Sequence, residues 1–467
     1  MRFPERDSFW WPVLVGVAFT VTELASVSPR MGLSWDEVVY VSQVSRHAPA
    51  AWFDPPRARG VPLIVAPVAF VTSSVVALRI YLSLLSGMFL VLALLVWRPL
   101  RAGWVLGLAG VAFCGLWVAQ YYGPQAMPDM WSALGALAAV GFFARYVYAD
   151  GGWGSLAGVL GCVAGVTLVR PGDAVYLSVP LVLALLVVPA WRARLWRGRM
   201  WRLGAAVAGG LVAGGIEWVA EAIVRFGSVG ARLHGAAAEQ GGFGVHFAWL
   251  DELKALNGPT LCRPCTVGYR QPELDLWWLA LPVLVVLGVI VARVASRGPG
   301  MLCAVCGFCL AAQYLFMINY SAPRFLLPAY AVLAIPVADG LAWLIAGSAV
   351  RESLRPAMAA LVGCALVLQV VSQHLVLDHE VGGTIAFHDD YTVIVSRLDS
   401  LGVRPPCMVS GVQYIPIAWY AGCASAGWAG RPVLLVGDGE RPPAYARKWH
   451  AYRITGTTVL HVTAYLP

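Results

Sequence analysis

The sequence contains little charge and almost no lysine. Charged residues make up only 12% of its 467 positions and hydrophobic residues make up 59%, whereas a water-soluble domain carries about 25% charged residues. This composition excludes a water-soluble globular protein. Lysine occurs only at Lys254 and Lys448, so nearly all positive charge is arginine. A net charge of +8 would suggest nucleic-acid binding in a soluble protein, but most of these arginines lie in short loops between apolar stretches, and we expect no nucleic-acid partner.

Apolar stretches of about twenty residues, long enough to cross a hydrocarbon core of about 30 Å as a helix, recur from Phe9 almost to Leu377. We place the N-terminus in the cytoplasm, because the arginine-rich loops then lie on the cytoplasmic side. The odd number of spans puts the C-terminus outside the cytoplasmic membrane. The predicted spans lie near residues 9–28, 76–98, 102–121, 127–148, 153–169, 172–190, 201–222, 276–294, 300–319, 325–348 and 355–377.

The chain is therefore expected to be a polytopic α-helical membrane protein with about eleven transmembrane helices and a small extracytoplasmic α/β domain. The transmembrane domain is predicted to cover residues 1–377, with outer loops at 29–60 and 225–274, and the α/β domain to cover 378–467. The apolar segment Val61–Thr72 is too short for a span and contains two prolines, so we expect it to be re-entrant or interfacial. In the C-terminal domain, strands are predicted at 407–410, 433–436 and 457–463.

Four of the ten cysteines lie in regions predicted to be outside, where disulfides persist. Proximity in the sequence suggests a bridge between Cys407 and Cys423. Cys262 and Cys265 fit a second bridge, half of a zinc site or a redox pair. No second cysteine pair or suitably spaced histidine pair accompanies them, and we expect no metal there.

The first outer loop contains two adjacent carboxylates, Asp36 and Glu37, shortly after the first span. Acidic groups beside apolar surface at a membrane face are candidates for a catalytic site. A structural interpretation competes with this one, because Ser34 and Glu37 have the spacing of a capping box. Asp36 would then be a favourable first-turn charge.

The order of several short motifs resembles the membrane glycosyltransferases of the GT-C superfamily, in particular the family 39-like branch of protein O-mannosyltransferases and lipid A aminoarabinose transferases. The resemblance extends loosely over residues 9–348, and every motif is predicted to lie on the outer face. Besides Asp36-Glu37, the motifs are Arg57-Ala-Arg-Gly-Val-Pro-Leu63, Gln125-Ala-Met-Pro-Asp129, Leu168-Val-Arg-Pro171 and Pro323-Arg-Phe-Leu-Leu-Pro328.

This resemblance implies an inverting transfer of a sugar from a polyprenyl-phosphate donor, with Asp36 as general base. A lipid phosphate leaves without an acid, so one base and a set of cations suffice. The acceptor would be a glycan, lipid or protein at the outer face. No cofactor is implied; a divalent cation is possible in the superfamily, but the sequence does not support one. The residues expected to bind substrate are Arg57, Arg59, Asp129, Arg170 and Arg324.

Two other functions remain open at this point. A transporter or flippase of lipid-linked sugars would need ionisable residues within the spans. The candidates are Glu217 and Glu221, spaced to face one cavity, and Asp339. The third possibility is a non-catalytic partner in envelope assembly.

Overall fold

The computed structural model describes residues 9–149, 151–189, 191, 197–242, 244–292, 294–347, 351–425 and 431–467. Residues 192–196 of the arginine-rich loop expected in the cytoplasm lie outside these ranges. The helices are Trp10–Ser26 (α1), Trp35–Val41 (α2), Gly60–Ala69 (α3), Val75–Leu95 (α4), Gly103–Cys114 (α5), Trp117–Tyr122 (α6), Pro128–Tyr148 (α7), Trp153–Val169 (α8), Pro171–Val187 (α9), Arg197–Phe226 (α10), Val229–Glu239 (α11), Trp249–Ala255 (α12), Leu276–Val291 (α13), Val294–Phe316 (α14), Leu327–Ala346 (α15), Arg355–Ser400 (α16) and Tyr414–Ala421 (α17).

The helical architecture agrees with a multi-pass membrane protein. Among the described residues, seven helices are long and apolar enough to cross a membrane, and five shorter apolar helices have 10–17 residues. Helices of the structure overlap all eleven predicted spans, the third of which is divided between two helices. The number of actual crossings and the orientation of the termini stay predictions. The seven are 75–95, 128–148, 198–226, 272–291, 297–316, 323–346 and 352–400.

The short apolar segment after the first outer loop forms α3, which has 10 residues. At 1.5 Å per residue it is about 15 Å long, roughly half of the hydrocarbon thickness. Tyr81 of α4 donates a hydrogen bond to the carbonyl of Ile64 at 3.1 Å. The interfacial interpretation of this segment is consistent with its length.

The third predicted span differs from a single helix, because it is divided between α5 and α6 at Gly115 and Leu116. Side chains satisfy the backbone groups that the break leaves free. Gln120 donates to the carbonyl of Cys114 at 2.7 Å, and the amide of Trp117 donates to Gln373 of α16 at 3.1 Å. The break therefore lies against the last long helix.

The C-terminal domain contains a four-stranded sheet in the order β1-β2-β4-β3. Its strands are Cys407–Gly411 (β1), Arg431–Gly437 (β2), His450–Arg453 (β3) and Val462–Leu466 (β4). β1 and β2 are parallel, while β4 pairs antiparallel with both β2 and β3. The strand expected at 457–463 starts later, at 462, and β3 was not predicted because its residues, His-Ala-Tyr-Arg, lack β-branched side chains.

The helix α16 joins the membrane part to this sheet without interruption. It has 46 residues, so the predicted domain boundary after residue 377 lies within it. It ends at Ser400, two residues before Gly402, whose φ of +76° suits a residue just beyond a helix C-terminus. α17 packs on α2 of the first outer loop, where the amide of Leu33 donates to the Tyr420 hydroxyl at 2.7 Å. The C-terminal domain thus contacts the loop that carries Asp36.

Candidate active site

Glu37 fixes the start of α2 by the capping-box contacts that its spacing suggests. The amide of Ser34 donates to its carboxylate at 2.9 Å. The carboxylate is fully buried and also pairs with Arg79 of α4, whose Nη2 donates to Oε2 at 2.9 Å. A further hydrogen bond, from the amide of Ala126 at 2.9 Å, ties α2 to the loop before α7. These contacts favour the structural role for Glu37 over a catalytic one.

Asp36, the next residue, points instead into a polar cavity and keeps 29% of its side chain exposed. Arg57 Nη2 lies 2.7 Å from one carboxylate oxygen and Arg324 Nη2 lies 3.0 Å from the other. Burial raises the pKa of Asp36, but the two guanidinium charges outweigh burial, and the net pKa lies below the usual aspartate value. The carboxylate is thus ionised and ion-paired at both oxygens.

Asp129 forms a second acidic centre beside the first. Its side chain is almost completely buried and forms an ion pair with Arg170, and Arg324 Nε lies 3.6 Å from its Oδ2. Arg324 therefore bridges Asp36 and Asp129. Arg170 Nε also lies 3.8 Å from Asp173 of α9, a buried carboxylate that accepts hydrogen bonds from Ser132, Gln313 and Tyr314.

Three of these site residues lie next to a proline that begins a helix. Pro128 precedes Asp129, Pro171 follows Arg170, and Pro323 precedes Arg324. Proline suits the first position of a helix because its missing N–H would have no intrahelical partner there. The starts of α7 and α9 meet at the cavity with a four-residue 3₁₀ helix, Pro323–Leu326, that leads into α15. The positive ends of α7 and α9 favour an anion there.

The cavity has a volume of about 210 Å³. Five residues predicted from the sequence line it: Asp36, Arg57, Asp129, Arg170 and Arg324. Arg59 does not; it bonds Gln43 at 2.8 Å and Glu221 at 2.5 Å instead. The other polar lining residues were not predicted, because they share no motif: Tyr40, Asp54, Glu239, Gln240, Arg263 and Tyr320.

Two of these additional residues bring further acid into the cavity. Asp54 pairs with Arg57 on the side away from Asp36. Partial burial and the adjacent negative charge of Asp54 raise the pKa of Glu239 to about 7. The cavity thus contains arginine cations together with an acidic group, Glu239, that titrates near neutral pH.

Both predicted cysteine pairs are disulfide-bonded in the structure. Around the first pair, Cys262 exchanges two backbone hydrogen bonds with Ser321, at 2.8 and 3.2 Å. This places Arg263 over the ring of Tyr320, at 4.7 Å, on the wall of the cavity. Within the described ranges, no group of three or more His, Cys, Asp or Glu side chains has an arrangement suited to a metal ion. Independence from divalent cations stays a prediction.

An apolar groove of about 750 Å³ adjoins the polar cavity. It is formed by α3, α4, α7 and α8, and Val169 lines both spaces. Leu63 and Leu92 in its lining are more than half exposed, so the groove is open at the apolar surface of the helices. A polar chamber at the end of an apolar groove is suited to an amphipathic ligand.

Two of the three acidic residues considered for a transport path form ion pairs within the protein. Glu221 pairs with Arg59, Arg225 and Arg232, and Asp339 pairs with Arg101 at 2.7 Å. Glu217 Oε2 is buried and has no hydrogen-bond partner among the described residues. Because Glu221 and Asp339 are already paired, only Glu217 is left for an ion path, which weakens the transporter interpretation.

Solved structures resemble the protein over nearly its whole length. ArnT from Cupriavidus metallidurans bound to undecaprenyl phosphate matches with a TM-score of 0.63 at 13% identity, covering 98% of each chain. Its apo form gives the same TM-score and coverage at 11% identity. The chain has the GT-C fold. The oligosaccharyltransferase AglB from Archaeoglobus fulgidus, in complex with an inhibitory peptide and a dolichol-phosphate, matches with a TM-score of 0.50 at 12% identity, over 89% of this chain and 63% of that one.

The GT-C fold confirms the resemblance predicted from the motifs, at the level of architecture. It also confirms the fold class, a polytopic helical membrane protein with a small C-terminal sheet domain. No protein-family model and no curated protein matches the sequence. The activity therefore has to be argued from the site itself.

Proposed function

We propose that the protein is an inverting glycosyltransferase that moves a sugar from a polyprenyl-phosphate donor to an acceptor at the outer face of the cytoplasmic membrane. The observation that carries the proposal is the position of Asp36 between Arg57 and Arg324 in a polar cavity that continues into a lipid-facing groove. A base, cations that bind the phosphate and a path for a lipid tail are the parts that this reaction needs. The acceptor, whether glycan, lipid or protein, would enter from the outside.

In the proposed step, the acceptor oxygen forms a bond to the anomeric carbon from the face opposite the phosphate. The bond between that carbon and the phosphate oxygen breaks, and polyprenyl phosphate leaves with the electron pair. Asp36 takes the proton of the acceptor hydroxyl, while Arg57, Arg170 and Arg324 stabilise the negative charge that develops on the leaving phosphate. Arginine suits this task because its planar guanidinium binds two phosphate oxygens at once.

The ion pairs of Asp36 make it a weak base before substrate is bound, because Arg57 and Arg324 hold its pKa below the ordinary value. A donor phosphate would compete for the same two guanidiniums. As they turn to the phosphate, Asp36 loses their charge stabilisation and its basicity rises. Donor binding would therefore activate the base at the moment when a proton has to be removed.

The groove supports a prenyl chain as the lipid part of the donor. It begins beside Gly60 and Val169, next to the arginines of the cavity, and extends along α7 as far as Arg145. Its lining is almost wholly apolar, as an isoprenoid requires. A phosphate at Arg170 could thus bind with its tail already in the membrane.

The direct test is transfer of radiolabelled sugar in proteoliposomes, with a panel of polyprenyl-phosphate sugars as donors. Asp36→Asn should lower transfer or donor hydrolysis by about 10² or more, the scale for loss of a general base. Asp399→Asn serves as a matched control, since Asp399 pairs with Arg404 on the exposed surface of the C-terminal domain. No turnover with any donor, and equal donor binding by wild type and Asp36→Asn, would favour the transporter or assembly-partner alternatives.

A further inference from the structure

Arg57 lies in the connection between α2 and α3, outside regular secondary structure. Its guanidinium nevertheless meets Asp36 at 2.7 Å and lies 5.0 Å from the centre of the Tyr40 ring. A loop has no ladder of backbone hydrogen bonds to hold a side chain in one place. Asp54 contacts Arg57 from within the loop, and further contacts come from outside it.

Arg232 of α11 supplies this support through the backbone of the loop. Its side chain is fully buried. Nε donates to the carbonyl of Pro55 at 3.0 Å and Nη2 donates to the carbonyl of Arg57 itself at 2.8 Å. Nη1 donates to the carbonyl of Trp218 at 2.7 Å, which anchors the arrangement to α10. One guanidinium therefore joins the Arg57 loop to a long membrane helix.

Glu221 of α10 secures the other side of the loop. Its Oε2 lies 2.9 Å from Arg232, and its Oε1 lies 2.5 Å from Arg59, the residue before α3. The loop around Arg57 is thus contacted on two sides. Arg232 binds the carbonyls of Pro55 and Arg57 before α3, and Glu221 binds the side chain of Arg59. One carboxylate and one buried guanidinium therefore contact three positions of the loop, Pro55, Arg57 and Arg59.

We propose that Arg232 is a positioning residue for the donor phosphate, acting through Arg57 and assisted by Glu221. This inference rests on the proposed function, in which Arg57 binds the phosphate. Arg232 does not line the cavity, so it acts through the loop and not on the substrate. The planar fork of arginine is needed, because lysine offers a single point of charge that reaches fewer carbonyls at once.

The test is a double-mutant cycle of Arg232→Met and Arg57→Met. For each protein in the cycle, donor KM, kcat and the affinity for polyprenyl phosphate are measured in proteoliposomes. Arg232→Met should raise the donor KM by roughly tenfold, the scale of one charge-assisted contact to a phosphate. In the Arg57→Met background it should change KM by less than about twofold, because the group that it positions is gone. Equal factors in the two backgrounds would overturn the inference.

Arg225→Met is the matched control. Arg225 pairs with the same Glu221 at 2.8 Å, but its guanidinium lies over the rings of Trp52 and Phe226 and not on the Arg57 backbone. It should leave donor KM within about twofold of wild type, and a rise equal to that of Arg232→Met would contradict the proposed route.

If Arg232→Met does not fold, Arg232→Lys takes its place in the same cycle, and non-additivity with Arg57→Met is again the expected result. Wild-type protein that neither binds polyprenyl phosphate nor turns over any donor would refute the proposed function, and this inference with it. Wild-type turnover combined with an additive cycle would refute the role of Arg232 alone.

Discussion

The buried pair of Arg79 and Glu37 allows a sharp test of which carboxylate in the first outer loop does chemistry. Arg79 is 1% exposed and, besides Glu37, donates to the carbonyls of Gly32 at 2.7 Å and Pro124 at 2.9 Å. Removing one partner of a buried ion pair costs about 3–5 kcal/mol, because the other charge is left without compensation. Arg79→Met should therefore destabilise the protein by about that amount.

A second substitution, Glu37→Gln, should recover part of this loss in the Arg79→Met background. Glutamine is neutral, so it leaves no unpaired buried charge when Arg79 is absent, and it still satisfies the capping box at the start of α2. We expect a coupling energy of about 1.5–2 kcal/mol between the two sites. Unfolding by SDS titration in mixed micelles, followed by tryptophan fluorescence, measures it, with the exposed Arg447→Met as control.

Sugar transfer by the double variant then separates structure from chemistry. If Glu37 only holds α2, transfer per folded molecule of the double variant should stay within about tenfold of wild type, because Asp36 is intact. A loss of about 10² or more per folded molecule would mean that Glu37 acts on the reactants. A cost below about 1 kcal/mol for Arg79→Met alone would refute the buried-pair reasoning.

Two further predictions concern the base and the lipid groove. In pH profiles of transfer, the acidic limb of kcat should lie at higher pH than the acidic limb of kcat/KM. The ratio kcat/KM reports the free enzyme, in which Arg57 and Arg324 lower the pKa of Asp36, whereas kcat reports the donor complex, in which the phosphate binds these arginines. Coincident limbs would contradict this prediction. Gly165→Leu should raise the KM of long-chain donors roughly fivefold and leave short-chain donors unchanged, since Gly165 lines the groove and a side chain there meets no neighbouring atom. The effect is modest because lipid is as apolar as the groove. Gly154→Leu on the same helix, also unobstructed but outside the groove, is the control, and an equal KM rise there would contradict occupation of the groove.

The architecture could be predicted because apolar length and arginine placement are local properties of the sequence. The helix next to each of Asp129, Arg170 and Arg324 begins with proline, so these positions could be placed at the outer ends of helices without knowledge of packing. That they meet around Asp36 depends on how α7, α9 and α15 pack, which the sequence does not specify directly.

Other parts of the site depend on partners far away in the chain. Arg59 was expected at the phosphate, but its partner Glu221 is 162 residues away and draws it out of the cavity. Arg79 and Asp173 lie in or beside apolar helices, where their sequence neighbours reveal nothing of the buried pairs that they form. Asp54 and Glu239 come from different outer loops and share no motif.

The helix α16 has a consequence for the acceptor side of the reaction. At 1.5 Å per residue its 46 residues extend for about 70 Å, more than twice the hydrocarbon thickness. The second half of this helix therefore extends beyond the length needed to cross the membrane, and it leads directly into the sheet domain. Because α17 of that domain contacts α2, an acceptor that reaches Asp36 in the proposed reaction would have to pass beside the sheet domain.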